Sequence, residues 1–291
     1  MQTRNPIVAG QFYPGWRSAC IAEIEQCLQE LPLPQNLPET IVAGIVPHAG
    51  WTFSGPAAAL VFSAVKQRHE NVHTFVIFGA AHGYYGRTPA IYDKGNWATP
   101  LGEIAVDEQL AQAVLETQTA DSDPDAHEGE HSIEVQAPFI QHLFPEAMIL
   151  PIITPPDDQA VKLGQTVGEI AAAETGKKIV CIGSTDLTHY GPRYGFAPMG
   201  VGPDACKWAS QVNDKAFIDL ALKLEPEKML ESAAENYNAC GAGAAAAAVA
   251  AAKKFGKTQG LLLAHTNSNQ VMLKKTGATT AESVGYAAIV F

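Results

Sequence analysis

Four stretches of the chain set a histidine close behind an apolar run: "IVPHAG" with His48, "FVIFGAAHG" with His82, "STDLTHYG" with His189, and "LLLAHTNSN" with His265. Imidazole is both the commonest metal ligand and the side chain that titrates nearest neutrality. Several imidazoles arriving by the same route therefore point to metal binding or proton transfer. Asp186 precedes His189 by three residues and adds a carboxylate to the same loop. Pro47 keeps the approach to His48 extended, and Gly50, Gly79 and Gly83 permit tight turns around the rings.

A second polar group is "DAHEGEHSIEVQAPF", which reads as an acidic loop entering a helix near Ser132. His127, Glu128, Glu130, His131 and Glu134 supply more polar groups than their spacing can order. His131 and Glu134, three apart, are expected on one helical face. The segment lacks the H-E-x-x-H pattern of zinc proteases, and neither glycine-rich nucleotide-binding pattern occurs. Cys240, in "NACGAGAAAAAVAAAKK", lies just ahead of an alanine-built helix, where exposed N–H groups favour a thiolate. Three readings stay open for it: a metal ligand, a nucleophile activated by histidine, or a small buried residue. Surface roles suffice for His69, His73 and His142.

The elements that must carry these residues alternate. Apolar strands are expected in "TIVAGIV", "HTFVIFG", "AMILPIIT", "KIVCIG", "GLLLAH" and "SVGYAAIVF". Helices are expected near 18–31, in "PAAALVFSAVKQR", "VDEQLAQAVLET" and "DQAVKLGQTVGEIAAAE", and near 204–223, 226–236 and 241–254. This order predicts an α/β fold of three layers, a largely parallel central sheet covered by helices on both faces. Ligands of such sheets meet the loops at the carboxyl ends of the strands, where His48, His82, Asp186 and His189 fall. A hairpin near "IYDKGNWATP" is expected to extend the sheet. No internal repeat or long linker interrupts residues 1–291, so one domain is expected.

Composition narrows the partners. The 291 residues are 47% hydrophobic and 17% charged, with a net charge of −11. An acidic surface repels phosphate backbones, so nucleic acid is not an expected partner. The longest apolar stretch is mostly alanine and too short to span a membrane. Five cysteines form an odd set without a C-x-x-C pair, and the first fifteen residues lack a long apolar region. Reduced thiols in the cytoplasm are the expectation, with Cys20 and Cys27 as core residues.

The pieces "NPIVAGQFYP", "VPHAGWTFSG", "FGAAHG", "EGEHSIEVQAPF", "STDLTHYG" and "NACGAG" together resemble the Memo-like family, protein B of the AmmeMemoRadiSam system, over essentially the whole chain. The resemblance implies a fold like that of class III extradiol dioxygenases. It also implies one divalent metal ion held by His48, His82 and Cys240, iron first and zinc or copper as alternatives. Asp186 and His189 belong to the implied site: His189 as proton shuttle, Asp186 orienting it, with Glu130 or His131 binding a polar substrate group. Gly83 stands where some relatives have a second histidine, and Trp51 where some have tyrosine.

The implied activity is a non-haem iron redox or dioxygenase-like reaction on a small molecule or peptide. A zinc hydrolase and a non-enzymatic assembly or signalling role are the alternatives. The resemblance further implies a link to an AMMECR-like protein and a radical S-adenosylmethionine enzyme.

Overall fold

The computed structural model of the chain describes residues 2–291. In order, β1 (Thr3–Arg4) is followed by α1 (Arg17–Glu30), β2 (Ala43–Val46), α2 (Trp51–Arg68) and β3 (Thr74–Gly79). Three short strands, β4 (Ala90–Ile91), β5 (Asn96–Thr99) and β6 (Gly102–Ala105), precede α3 (Glu108–Leu115). Next come β7 (Asp121–Ser122), α4 (Ala137–Leu143), β8 (Met148–Ile153), α5 (Asp158–Ala173) and β9 (Ile179–Ser184). The last third holds β10 (His189–Tyr190), α6 (Pro203–Trp208), α7 (Lys215–Leu222), α8 (Pro226–Asn236) and α9 (Ala242–Lys254). It closes with β11 (Leu261–Asn267), α10 (Ser268–Thr276) and β12 (Ser283–Val290). Among the described residues, no helix is long and apolar enough to cross a membrane.

The large sheet has nine strands in the order β10-β12-β2-β9-β3-β8-β4-β7, with β11 also paired to β12. Its centre, β2-β9-β3-β8, is parallel, whereas β12 runs antiparallel to β2, and β4 antiparallel to β8. The sheet is therefore mixed, with a parallel heart. Side chains alternate across it with the period of two that a pleated strand imposes. Phe75 and Ile77 of β3 join a core with α1, α2 and α4, while Val76 and Phe78 join another with α5, α7 and α9. Helices cover both faces, which is the expected three-layer α/β arrangement.

The "IYDKGNWATP" region departs from expectation. Only β4 joins the large sheet; β5 and β6 form a hairpin in a separate three-stranded sheet with β1. The pairing of β1 with β5 captures the hairpin, and brings Arg4 over the Trp97 ring at 4.2 Å. A glycine at 95 is required there: its φ is +88°, and the carbonyl of Gln2 lies 2.1 Å from where a Cβ would stand. His69 also differs from its expected surface role. It is buried at the end of α2, with Nε2 2.8 Å from the Ile41 carbonyl.

Helix α2 begins at Trp51 and carries Pro56 inside it. Proline lacks the N–H that would reach back four residues to the Thr52 carbonyl. The Lys275 ammonium takes that place, donating to the Thr52 oxygen at 2.7 Å. A bond from α10 thus repairs the gap in α2.

Alanines let α9 approach its neighbours closely. A Cβ on Gly164 of α5 would stand 2.2 Å from the Ala247 carbonyl oxygen, and one on Gly183 of β9 would stand 2.6 Å from that of Ala244. Both obstacles are backbone, which cannot rotate aside. Overpacking a close-packed interior typically costs about 1–3 kcal/mol. Gly164→Ala is expected to lower the unfolding free energy, and with it the urea midpoint, with a free-energy loss in that range, despite alanine's better helix propensity. An unchanged midpoint would contradict the close approach.

Candidate metal centre

The parallel strands explain why the histidines meet. β2 and β3 flank β9, and all three run the same way, so their carboxyl ends open on one edge. His48 follows β2, His82 follows β3, and Asp186 follows β9. The loop between β7 and α4 crosses this edge and adds His131. Ring centroids lie 5.1 Å apart for His48 and His82, 5.4 Å for His48 and His131, and 4.9 Å for His82 and His131. One ligand atom from each of these three rings falls within 4.8 Å of the others.

Hydrogen bonds behind the rings decide which nitrogens face the cavity. Ser184 Oγ spends its single proton on the Ser132 carbonyl, 2.8 Å away. It can then only accept from His48 Nδ1 at 3.1 Å, so the His48 proton sits on Nδ1 and Nε2 keeps a lone pair. Gln136, which also donates to Ser184 Oγ and to the Pro47 carbonyl, braces this arrangement. Burial pushes the His48 pKa well below 6.5, and the neighbouring His82 and His131 push the same way. His48 is therefore a neutral ring whose lone-pair nitrogen faces the Cys240 sulfur at 3.2 Å.

His82 is held by Glu130. Its Nδ1 lies 3.1 Å from Glu130 Oε1, and its backbone N–H donates to Oε2. Burial works against the charged ring, but the hydrogen bond and charge of Glu130 outweigh it and raise the His82 pKa above 6.5. For Glu130, burial works upward, yet the His82 bond and the Ser132 N–H hold the carboxyl far below the usual carboxylate range. A carboxylate behind a histidine is the arrangement that fixes tautomer and basicity in metal sites. His131 stands 3.8 Å from the same carboxylate, with its pKa lowered mainly by burial.

The remaining sequence candidates fall around this triad. Cys240 lies beside it, with Sγ 3.2 Å from His48 Nε2 and its thiol pKa raised, first by burial and then by Asp186. The ring of His131, rather than the sulfur, completes the group of mutually close ligand atoms. Asp186 accepts from the N–H groups of His48 at 2.7 Å and Ala49 at 3.3 Å. It thus fixes the His48 backbone, and among the described residues makes no hydrogen bond to the His189 ring. His189 Nε2 is buried without a partner, its pKa lowered by burial, and its ring packs 5.1 Å from that of Tyr194.

His131 and Glu134 do not share a helical face, because His131 lies ahead of the 3₁₀ turn Glu134–Gln136 that leads into α4. Glu134 turns to the N-terminal segment instead. It pairs with Arg4 at 2.9 Å and accepts from Ile7, Val8 and Tyr13. His127 is also structural: Nε2 faces the Ala90 carbonyl, and burial pushes its pKa down to about 3. His265 lies inside β11 with Nε2 3.0 Å from Asp214 Oδ2, apart from the triad.

A cavity of about 660 Å³ opens over His48, His82, His131, Asp186 and His189. Its other walls include Phe12, Phe53, Tyr194, Met272 and Tyr286. That volume suits a small organic molecule. Neither Ser184 nor Gln136 stood out as a support for His48, since each is ordinary in its stretch.

The Memo-like protein family matches this chain over residues 4–290, and the chain belongs to that family. A MEMO1 family protein of Thermococcus onnurineus is 38% identical to it, over 99% of both chains. One of Pyrococcus furiosus is 37% identical over 99% of this chain and 98% of its own. One of Methanosarcina acetivorans is 36% identical over 100% of this chain and 99% of its own.

The donor set fits a divalent ion: two imidazoles have their N–H turned away from the cavity, and a third ring closes the group. Binding at His82 must displace a proton whenever that ring is charged. Since its pKa is raised, zinc affinity is expected to start falling while the pH is still above 6.5, and to keep falling below it. Competition with a chelator across pH 5.5–8.5, with the chelator's own titration subtracted, checks this. In the same assay, Glu130→Ala is expected to weaken binding by about 10–100-fold.

Proposed function

We propose that this Memo-like protein is a metal-dependent enzyme of the oxygenase type, in which His48, His82 and His131 hold one iron(II) ion facing a small-molecule cavity. The observation that carries the reading is the disposal of protons: Ser184 and Glu130 take the Nδ1–H groups of His48 and His82, which leaves Nε2 as the donor in each ring. A bound iron(II) would supply open coordination positions and one-electron redox chemistry.

The chain's own residues would do the rest. Asp186 holds the His48 backbone through two N–H bonds and keeps the ring in register with His82. His189, neutral and with an unpartnered Nε2, is suited to accept a proton from a substrate hydroxyl. Phe12, Phe53 and Met272 line the cavity with apolar surface that limits water beside the reacting atoms. Cys240, with its sulfur against His48 Nε2, is placed to add as a further donor once that nitrogen is engaged. A coordinating thiol loses its proton outright, so burial's upward push on the free thiol does not prevent this.

A zinc hydrolase is the second reading, because three nitrogen donors with an open position are also a catalytic zinc set. Reconstitution separates the two. Protein prepared without oxygen and loaded with iron(II) is expected to consume dioxygen on addition of a substrate such as a catechol, whereas the zinc form is not. Hydrolysis of activated esters by the zinc form alone would favour the second reading.

The ligand roles are tested by metal content. His48→Ala and His82→Ala are expected to abolish stoichiometric binding, and His131→Ala to weaken it by at least about 100-fold, about 2.7 kcal/mol. Cys240→Ser is expected to cost less than His131→Ala. The reverse order would return the third place to the sulfur.

A further inference from the structure

We propose that the cavity selects organic molecules that carry a carboxylate, with Arg193 as the group that receives it. The inference deepens the metal-enzyme reading and rests on it.

Arg193 is the one lysine or arginine among the residues lining the cavity. Its guanidinium makes no protein hydrogen bond or ion pair among the described residues, unlike that of Arg4, which is spent on Glu134 and on the carbonyls of His127 and Glu130. The nearby acid, Glu282, is engaged elsewhere on the same residue: its Oε1 accepts from the Arg193 backbone N–H at 3.2 Å. The side chain is thus left with all its donors while its backbone is held.

The turn that presents Arg193 is tightly fixed. Residues Pro192–Tyr194 form a 3₁₀ turn between Gly191, at φ +124°, and Gly195, at φ +67°. Gly191 N–H donates to the Phe196 carbonyl at 2.8 Å, and Tyr194 N–H donates to the Gly191 carbonyl at 3.0 Å. A Cβ at Gly191 would meet Glu282 Cγ at 2.8 Å, so the turn and the Glu282 strand end are packed together. Tyr194, next in sequence to Arg193, packs its ring against His189, which borders the triad. Arg193 is therefore an exposed cation in the cavity wall, on a backbone that needs little ordering when a ligand arrives.

Charge makes the placement informative. With a net charge of −11, the chain as a whole repels anions. The two carboxylates of the lining, Asp186 and Glu282, each accept from backbone N–H groups. The Arg193 guanidinium, in contrast, has no protein partner among the described residues, and its planar fork matches a carboxylate in bidentate fashion. A molecule with an apolar ring, metal-binding oxygens and a carboxylate would match the histidines, the apolar surface of Phe12, Phe53 and Met272, and Arg193.

Three probes that share two vicinal hydroxyls separate charge from size: catechol, 3,4-dihydroxybenzoate and the methyl ester of that acid. Binding is measured by calorimetry to the zinc-loaded protein, wild type and Arg193→Gln, under anaerobic conditions. The free acid is expected to bind wild type at least about 10-fold more tightly than either neutral probe, within the range of a charge-assisted hydrogen bond. Arg193→Gln is expected to remove that advantage and leave catechol binding within about two-fold. Equal binding of acid and ester to wild type, or a preference that persists in Arg193→Gln, overturns the proposal. If none of the probes binds although the zinc is retained, the cavity is not a chelating substrate site, and both the inference and the reading beneath it fall.

Discussion

A histidine ring has two nitrogens and, when neutral, one proton; everything at this site depends on where that proton is parked. Ser184 can accept only because its own hydrogen goes to Ser132, and Glu130 can accept because it stays ionised. Those two buried acceptors take the Nδ1–H groups of His48 and His82, two rings that each bring a ligand atom within 4.8 Å of the other. Without them the same rings would be ordinary buried imidazoles, each looking for a partner. The acceptors in turn depend on the sheet, since Ser184 ends β9 and Glu130 is threaded over the edge by the loop that Arg4 holds.

Electrostatics and covering work together at this edge. Glu130 and Asp186 are buried carboxylates, and each is tied to backbone N–H groups as well as lying near imidazoles. Their charge favours a cation in front of the rings. The thiol of Cys240 has no such help. Burial and the charge of Asp186 both keep its proton on, so in the free protein it donates to His48 rather than competing as a thiolate.

Much of this was legible from residues alone. The alternation of apolar strands with helices identified the three layers, and the strand-end rule placed His48, His82, Asp186 and His189 near one another. What failed did so for physical reasons. His265, whose role the spacing left open, sits within its strand, where buried Asp214 claims it, and spacing cannot reveal a partner fifty-one residues away. His131 was expected on a helix with Glu134, but it precedes the 3₁₀ turn Glu134–Gln136 that leads into α4, which lets the two side chains go to different neighbours. The hairpin joined a second sheet because a two-residue strand at the N-terminus captured it, and so short a strand has no readable period. Ser184, Gln136 and Arg193 carry no local signal at all, since their value comes from what stands opposite them.

The seam between α5 and α9 has a consequence for how the family can drift. Glycine on one side meets main-chain carbonyl on the other, so neither wall has slack to absorb a larger neighbour. An added methyl on α5 can be accommodated only if α9 shifts as a whole, and α9 begins two residues after Cys240. A substitution at a seam remote from the triad is therefore coupled, through α9, to the position of the sulfur.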